Sequence, residues 1–319
     1  MIKTAVYLPK KIVHNDDFIN KYSDWNSKKT LEQTGVEMRH YAAEDESSAT
    51  LGYNALMKLV EKYNIDINTI DFLICVTETP DNVLPATAYK IHKLANLPKT
   101  CGAYDINHGC AGFTYGLLTA YNFIKAGSAS NVVLITVDIL SKFMEHSEKA
   151  IQTLIGDGAA ACLITKHVCD NIMKFVYGTD SQGYDRVIVK HRDNDPDKPL
   201  FLHMDGMDVF SFAMHNIQNI VNEILNINNL SLDEIDMVIV HQANKIILEF
   251  IKRRLKLPDD RFYINMIYTG NTSSATIPIA LNDLQENGLL KHNQNILVLG
   301  FGVGYSWCGT VIKWNMDKE

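Results

Sequence analysis

No two of the six cysteines (Cys75, Cys101, Cys110, Cys162, Cys169 and Cys308) form a CxxC pair, and most lie in apolar segments. Five of them are therefore expected to be buried free thiols in a reducing compartment. A long apolar run is also missing. The longest, around residues 296–301, is strand-sized, so no membrane-spanning helix is expected. The opening MIKTAVYLPKKIVHNDDF has too short an apolar stretch for a secretory signal and no small-residue cleavage site, which points to the cytoplasm. Basic charge is in deficit: 30 Lys plus Arg against 37 Asp plus Glu leave a net charge of −7. A nucleic-acid partner is not expected of such a chain, although a local basic patch is compatible with it. There is no low-complexity segment either.

What remains is an ordinary globular composition. With 319 residues, 46% hydrophobic and 21% charged, the chain suffices for one large domain or two intimately packed halves. Short β-branched runs alternate with helical patterns, as in an α/β protein with buried strands. KTAVYLP, DFLICVT, CGAYDIN, NVVLITVD and AAACLIT read as strands of a first half. SSATLGYNALMKLVEKYN, PATAYKIHKLANL, CAGFTYGLLTAYNFIKAG and SEKAIQTLI read as its helices. The second half offers the strands MKFVYGTD, MVIVH, FYIN, NILVLGF and SWCGTVIKW, with helices in DVFSFAMHNIQNIVNEILN, NKIILEFIKRRLK and SSATIPIALNDLQE. This parallel succession of elements is read as a structural duplication, with halves at 1–170 and 171–319. The polar stretch 191–199 is a surface loop.

Four segments carry chemistry. In YDINHGCAGF a strand ends and Cys110 opens a helix, where backbone N–H groups and the helix dipole favour thiolate. His241, in VIVHQANK, ends an apolar strand. Asn271, in YTGNTSSATIPIAL, follows a glycine turn and precedes a helix; its plain alternative is a helix cap. LGFGVGYSWCG is a Gly-rich turn, either a tight hairpin or a presenter of N–H groups to an oxyanion.

Taken together and in this order, GCAGF, HQAN, GNTSSA and FGVGYSW resemble the β-ketoacyl-acyl-carrier-protein synthase III family of the thiolase superfamily. TGVEMRH (34–40), IGDGAAA (155–161) and FLHMDGMDVFSFA (201–213) extend the likeness nearly end to end. The resemblance implies a five-layered αβαβα thiolase-like fold, a homodimer, and Cys110, His241 and Asn271 as the catalytic set. It further implies acyl transfer to Cys110, with the oxyanion held by the N–H groups of Cys110 and Val303. A malonyl thioester then loses carbon dioxide beside Phe301, and its enolate is held by His241 Nε2 and the Asn271 amide. No metal and no cofactor is implied; the substrates are acyl and malonyl thioesters on acyl carrier protein or coenzyme A.

Some expected positions differ. The family's coenzyme A contacts fall on Lys29, Gln33, Lys149 and Ile246, with Trp25 nearby as a substitute aromatic. The carrier-docking pair falls on Arg253 and Arg254, within a basic helix that also holds Lys245, Lys252 and Lys256. This favours acyl carrier protein as the partner. Leu84 aligns with a residue that crosses the dimer and gates the acyl tunnel; its plain reading is a core leucine. Glu78 aligns with a small hydroxylic residue and is a candidate base, or a surface loop acid. Three other activities compete. A thiolase needs a cysteine in the last Gly-rich turn, which LGFGVG lacks. An acyltransferase passing its acyl group to a hydroxyl or amine, in specialised lipid, polyketide or surface-sugar synthesis, would not need the His241 and Asn271 pair. A non-enzymatic partner subunit would not need Cys110.

Overall fold

The run NVVLITVD forms the strand Asn131–Asp138, buried along nearly its whole length, as a strand covered by helices on both faces must be. In the computed structural model, residues 1–144 and 149–315 are described. The N-terminal sheet has the order Lys3–Tyr7, Gly158–Thr165, Asn131–Asp138, Phe72–Val76, Gly102–Ile106. Its first two pairings are antiparallel and its last two parallel.

The C-terminal sheet repeats this sequence of senses. Val176–Thr179, Ser306–Trp314 and Gln294–Gly302 pair antiparallel, and Gln294–Gly302 pairs parallel with Met237–Val240. Where the first sheet has its fifth strand, the second has a single parallel bridge between Val238 and Phe262. The expected strand FYIN is therefore reduced to that bridge. The Gln242 side chain explains why: its amide donates to the Tyr263 carbonyl at 3.3 Å and accepts from the Asn265 N–H at 3.1 Å. A side chain thus fills positions that a strand ladder would have used.

Between the sheets lie the helices Gly112–Lys125 and Thr276–Glu286, each touching strands of both sheets. Phe113 and Leu117 of the first and Ile277 and Leu281 of the second fill the central core. Ser48–Tyr63 and Thr87–Leu94 cover the outer face of the first sheet, and Gly206–Ile227 and Lys245–Arg254 that of the second. The layers are αβαβα. Among the elements that went unread in the sequence are the helix Ser27–Thr34, the strands Lys11–His14 and Met38–Tyr41, which pair, and the strands Val187–His191 and Leu200–Met204, which pair. The polar stretch expected as a loop at 191–199 connects these last two strands, with His191 itself ending the first of them. The SEKAIQTLI helix runs Lys149–Leu154, and Ser147 and Glu148 lie outside the described residues.

This arrangement brings strand ends together. Glu78, Cys110 and Asp138 follow or end strands of the first sheet, while His241 and Phe301–Val303 do so in the second. The carboxyl ends of the parallel strands of both sheets open onto one cavity, the usual place for chemistry in such sheets.

Candidate active site

Cys110 sits in the turn between Gly102–Ile106 and the helix Gly112–Lys125, whose N-cap is Ala111. It is thus one residue before the cap rather than the first helical residue. Its thiol is not lowered in this resting state. Burial and the nearby charge of Glu78 push it up to about 12, against the opposing pull of the N–H groups of Val303 and of Cys110 itself. Those two N–H groups converge on the sulfur, as an oxyanion site requires. Gly302 closes in from the facing turn with φ +151°, and a Cβ there would lie 2.7 Å from Sγ. Only glycine fits.

His241 is 2% exposed, and burial lowers its pKa to about 3, with the Ser273 carbonyl acting the other way. Its ring is neutral at physiological pH. Nδ1 lies 2.8 Å from the Thr276 hydroxyl, which also reaches the Ser273 carbonyl at 3.0 Å. That hydroxyl has one hydrogen for two acceptors. When it turns to Nδ1, the ring's hydrogen is on Nε2, the form that donates to an enolate.

Asn271 is held from both halves. Its backbone N–H donates to the Leu154 carbonyl at 2.9 Å, and its carbonyl accepts from Gly156 at 3.0 Å. Gly270 precedes it with φ +67°, where a Cβ would meet the Leu154 oxygen at 2.7 Å. The side-chain oxygen accepts the Ser273 N–H at 2.9 Å, while Nδ2 donates to the Ala243 carbonyl at 3.1 Å. The second Nδ2 hydrogen is left for a ligand. Ser273 itself has φ +51°, an uncommon conformation for a residue with a side chain.

Glu78 is a site residue rather than a surface loop acid. It lines the same cavity as Cys110, His241 and Asn271, and its Oε1 accepts from the Ser273 hydroxyl at 2.6 Å. Its backbone N–H donates to Asp138 at 2.8 Å. Asp138 also accepts from Ser274 N at 3.1 Å and Ser274 Oγ at 2.5 Å, tying the halves together. Burial raises the Glu78 carboxyl; burial and the charge of Glu78 raise that of Asp138. Nothing in the spacing of the sequence pointed to Ser273, Thr276 or Asp138, because their roles are hydrogen bonds across the two halves.

The cavity measures about 670 Å³ including its open mouth. Leu140, Ile155, Leu202 and Met204 make one apolar wall, and Phe301, fully buried, meets the His241 ring edge-on at 5.9 Å. Apolar walls with a few convergent polar groups fit an acyl thioester. Among the described residues, no group of His, Cys, Asp and Glu is arranged to hold a metal ion.

Other expected positions lie elsewhere. Leu84 is 80% exposed, so it is not a core leucine. Lys245, Arg253 and Arg254 are exposed on their helix, whereas Lys252 is bridged to Glu249 and Asp259. Trp25 packs with Phe18 and Tyr22, and the Lys149 ammonium lies 5.3 Å from its ring centre. The remaining five cysteines are buried free thiols, and no helix among the described residues is long and apolar enough to cross a membrane.

Comparison with known proteins supplies independent information. A profile described as "3-Oxoacyl-[acyl-carrier-protein (ACP)] synthase III" matches residues 104–181, and one for the C-terminal part of the same family matches 225–314. A Clostridium tetani protein named beta-ketoacyl-[acyl-carrier-protein] synthase III is 34% identical, with 98% of each chain covered. A Clostridium acetobutylicum protein of the same name is 33% identical, again over 98% of each chain. Among solved structures, one of a 3-oxoacyl-(acyl-carrier-protein) synthase III superposes with a TM-score of 0.93 at 33% identity, covering 98% of both chains.

Proposed function

The chain belongs to the 3-oxoacyl-[acyl-carrier-protein] synthase III family, and on that premise we propose that it condenses an acyl group carried on Cys110 with a malonyl thioester. The observation that carries this reading is that Cys110, His241 and Asn271 line one apolar cavity although they come from opposite halves of the chain. We take 1–170 and 171–319 as those halves.

The thiol of Cys110 attacks an acyl thioester, and the N–H groups of Cys110 and Val303 hold the oxyanion. The thiol's high resting pKa means that its proton leaves as the bond forms, passing to the departing thiolate. A malonyl thioester then takes the vacated place. Loss of its carboxylate beside the apolar ring of Phe301 leaves an enolate, whose oxygen accepts from His241 Nε2 and Asn271 Nδ2. One such donor stabilises a transition state by ~3 kcal/mol. The enolate carbon attacks acyl-Cys110 and a 3-oxoacyl thioester departs. No cofactor takes part, because the two thioesters supply both the electrophile and the nucleophile.

Both acyl groups arrive on acyl carrier protein. Exposed Lys245, Arg253 and Arg254 give a chain of net charge −7 a local basic face for an acidic partner. The coenzyme A positions are poorly kept, and Trp25 is engaged in its own cluster. The enzyme works in the cytoplasm as a homodimer. Gly102–Ile106 has one sheet neighbour and an open edge, and Val83 and Leu84 nearby are 100% and 80% exposed. Such an edge calls for cover; a second copy provides it and lets Leu84 cap the partner's acyl pocket.

Intact-mass analysis with a panel of acyl thioesters on carrier protein, coenzyme A and pantetheine tests this. An acyl adduct that disappears in Cys110→Ala and is discharged by malonyl-carrier protein is expected. A stable adduct that malonyl thioesters never discharge overturns the condensing step, and a clear preference for coenzyme A overturns the donor assignment.

A further inference from the structure

Decarboxylative condensation has no use for the carboxylate of Glu78. Loss of carbon dioxide itself leaves the electron pair that becomes the enolate, so no proton need be removed from carbon. An anion in the cavity also repels the malonyl carboxylate and disfavours the Cys110 thiolate. Yet Glu78 is held there on three sides. Its N–H is anchored on Asp138 at 2.8 Å, its Oε1 takes the Ser273 hydroxyl at 2.6 Å, and its Oε2 lies against Gly109, where a Cβ would come within 2.3 Å. Among the described residues, Oε2 makes no hydrogen bond and no Lys or Arg forms an ion pair with this carboxylate.

Its neighbour in that network is the enolate site. Ser273 donates its hydroxyl to Glu78 and its N–H to the Asn271 side-chain oxygen, so one residue positions both a proton acceptor and an enolate donor. A carboxylate with one oxygen committed and the other open to a substrate cavity is suited to take a proton from a bound substrate. Resting on the condensing-enzyme reading, we propose that Glu78 is a general base for the α-proton of a simple acyl thioester bound at His241 and Asn271, giving this site a condensation that releases no carbon dioxide.

The step balances without a further reactant. Glu78 takes the α-hydrogen as a proton. The C–H electron pair forms the enolate double bond as the carbonyl pair moves to oxygen, where His241 and Asn271 hold it. The enolate carbon bonds to the acyl carbon on Cys110, the C–S bond breaks, and its pair goes to sulfur. Glu78, now protonated, returns the proton to that thiolate, and its charge no longer opposes the thiolate as it forms. A 3-oxoacyl thioester and the free thiol result. Burial raises the Glu78 carboxyl above its ordinary value, against the pull of the Ser273 hydroxyl, which makes its carboxylate a stronger base than one in water.

The test uses Cys110→Ala protein, in which acyl transfer cannot compete. Acetyl-pantetheine is incubated with it in D2O and α-deuterium is followed by mass spectrometry, while carbon dioxide release from malonyl-pantetheine is measured in parallel. Exchange above buffer is expected, levelling off with pH as Glu78 ionises. Adding Glu78→Gln, which keeps an acceptor for Ser273, should cut exchange ~100-fold more than it cuts decarboxylation. Carbon dioxide release without exchange overturns the proposal, as does an equal fall of both rates in Glu78→Gln, which would mark a structural role. Absence of both activities overturns the condensing reading instead.

Discussion

The backbone N–H of Ser273 donates to the side-chain oxygen of Asn271 at 2.9 Å, and this bond decides which end of the amide faces the substrate. With the oxygen occupied and one Nδ2 hydrogen on the Ala243 carbonyl, a donor and not an acceptor is presented. Asn271→Asp places a second anionic oxygen where the enolate forms. It is expected to slow malonyl decarboxylation by ~100-fold or more while Cys110 still loads, which rate and intact-mass measurements on one preparation separate.

Thr276 governs the hydrogen of His241, since its hydroxyl lies 2.8 Å from Nδ1. Thr276→Val keeps the shape but leaves Nδ1 without its partner and the ring free to take the other tautomer. Decarboxylation should fall by ~10–100-fold, as expected when a partner that orients a catalytic group is lost, and Thr276→Ser should restore most of it. Equal rates for the Val and Ser variants would show that the hydroxyl is not what sets the ring.

Burial lowers His241 to about 3, so decarboxylation should show no imidazole titration between about pH 5 and pH 8. The same shift acts on stability. Below the ordinary imidazole value of about 6.5 the unfolded chain binds a proton that the folded chain refuses. This contribution is present above that value and is lost as the pH falls toward about 3. Denaturation midpoints for wild type and His241→Gln should therefore converge as the solution is acidified. Midpoints that keep a constant gap would contradict it.

Gly302 packs against Cys110: a Cβ there would lie 2.6 Å from Cys110 Cβ and 2.7 Å from Sγ. Gly302→Ala should block acyl loading on Cys110 even where the chain folds, because either the turn or the sulfur must move. Circular dichroism reads the fold and intact mass reads the adduct.

How much of this was legible beforehand depended on periodicity. NVVLITVD and SWCGTVIKW form strands at the bounds read from β-branched runs, and GCAGF, HQAN and GNTSSA mark three side chains that line one cavity. FYIN has equal β-propensity but yields one bridge, because Gln242 fills its ladder positions from outside the segment. Cys110 was expected to be a stabilised thiolate from its place near a helix start; the burial and the Glu78 charge that raise it come from distant parts of the chain. Glu78 reads in the sequence as a surface loop acid before a base, and its place in the cavity depends on Ser273, 195 residues away in sequence, which donates to it. Local pattern identifies the elements, whereas the electrostatics of the site arise only when the halves meet.

The central claim is that acyl transfer belongs to Cys110 and malonyl breakdown to the His241 and Asn271 pair within one cavity. Its most direct measurement is carbon dioxide release from malonyl thioester by Cys110→Ala, His241→Ala and Asn271→Ala, set beside acyl loading of the latter two. Cys110→Ala should still release carbon dioxide, and the other two should load Cys110 yet release carbon dioxide ~100-fold or more slowly. Undiminished release in either His241→Ala or Asn271→Ala would contradict the account.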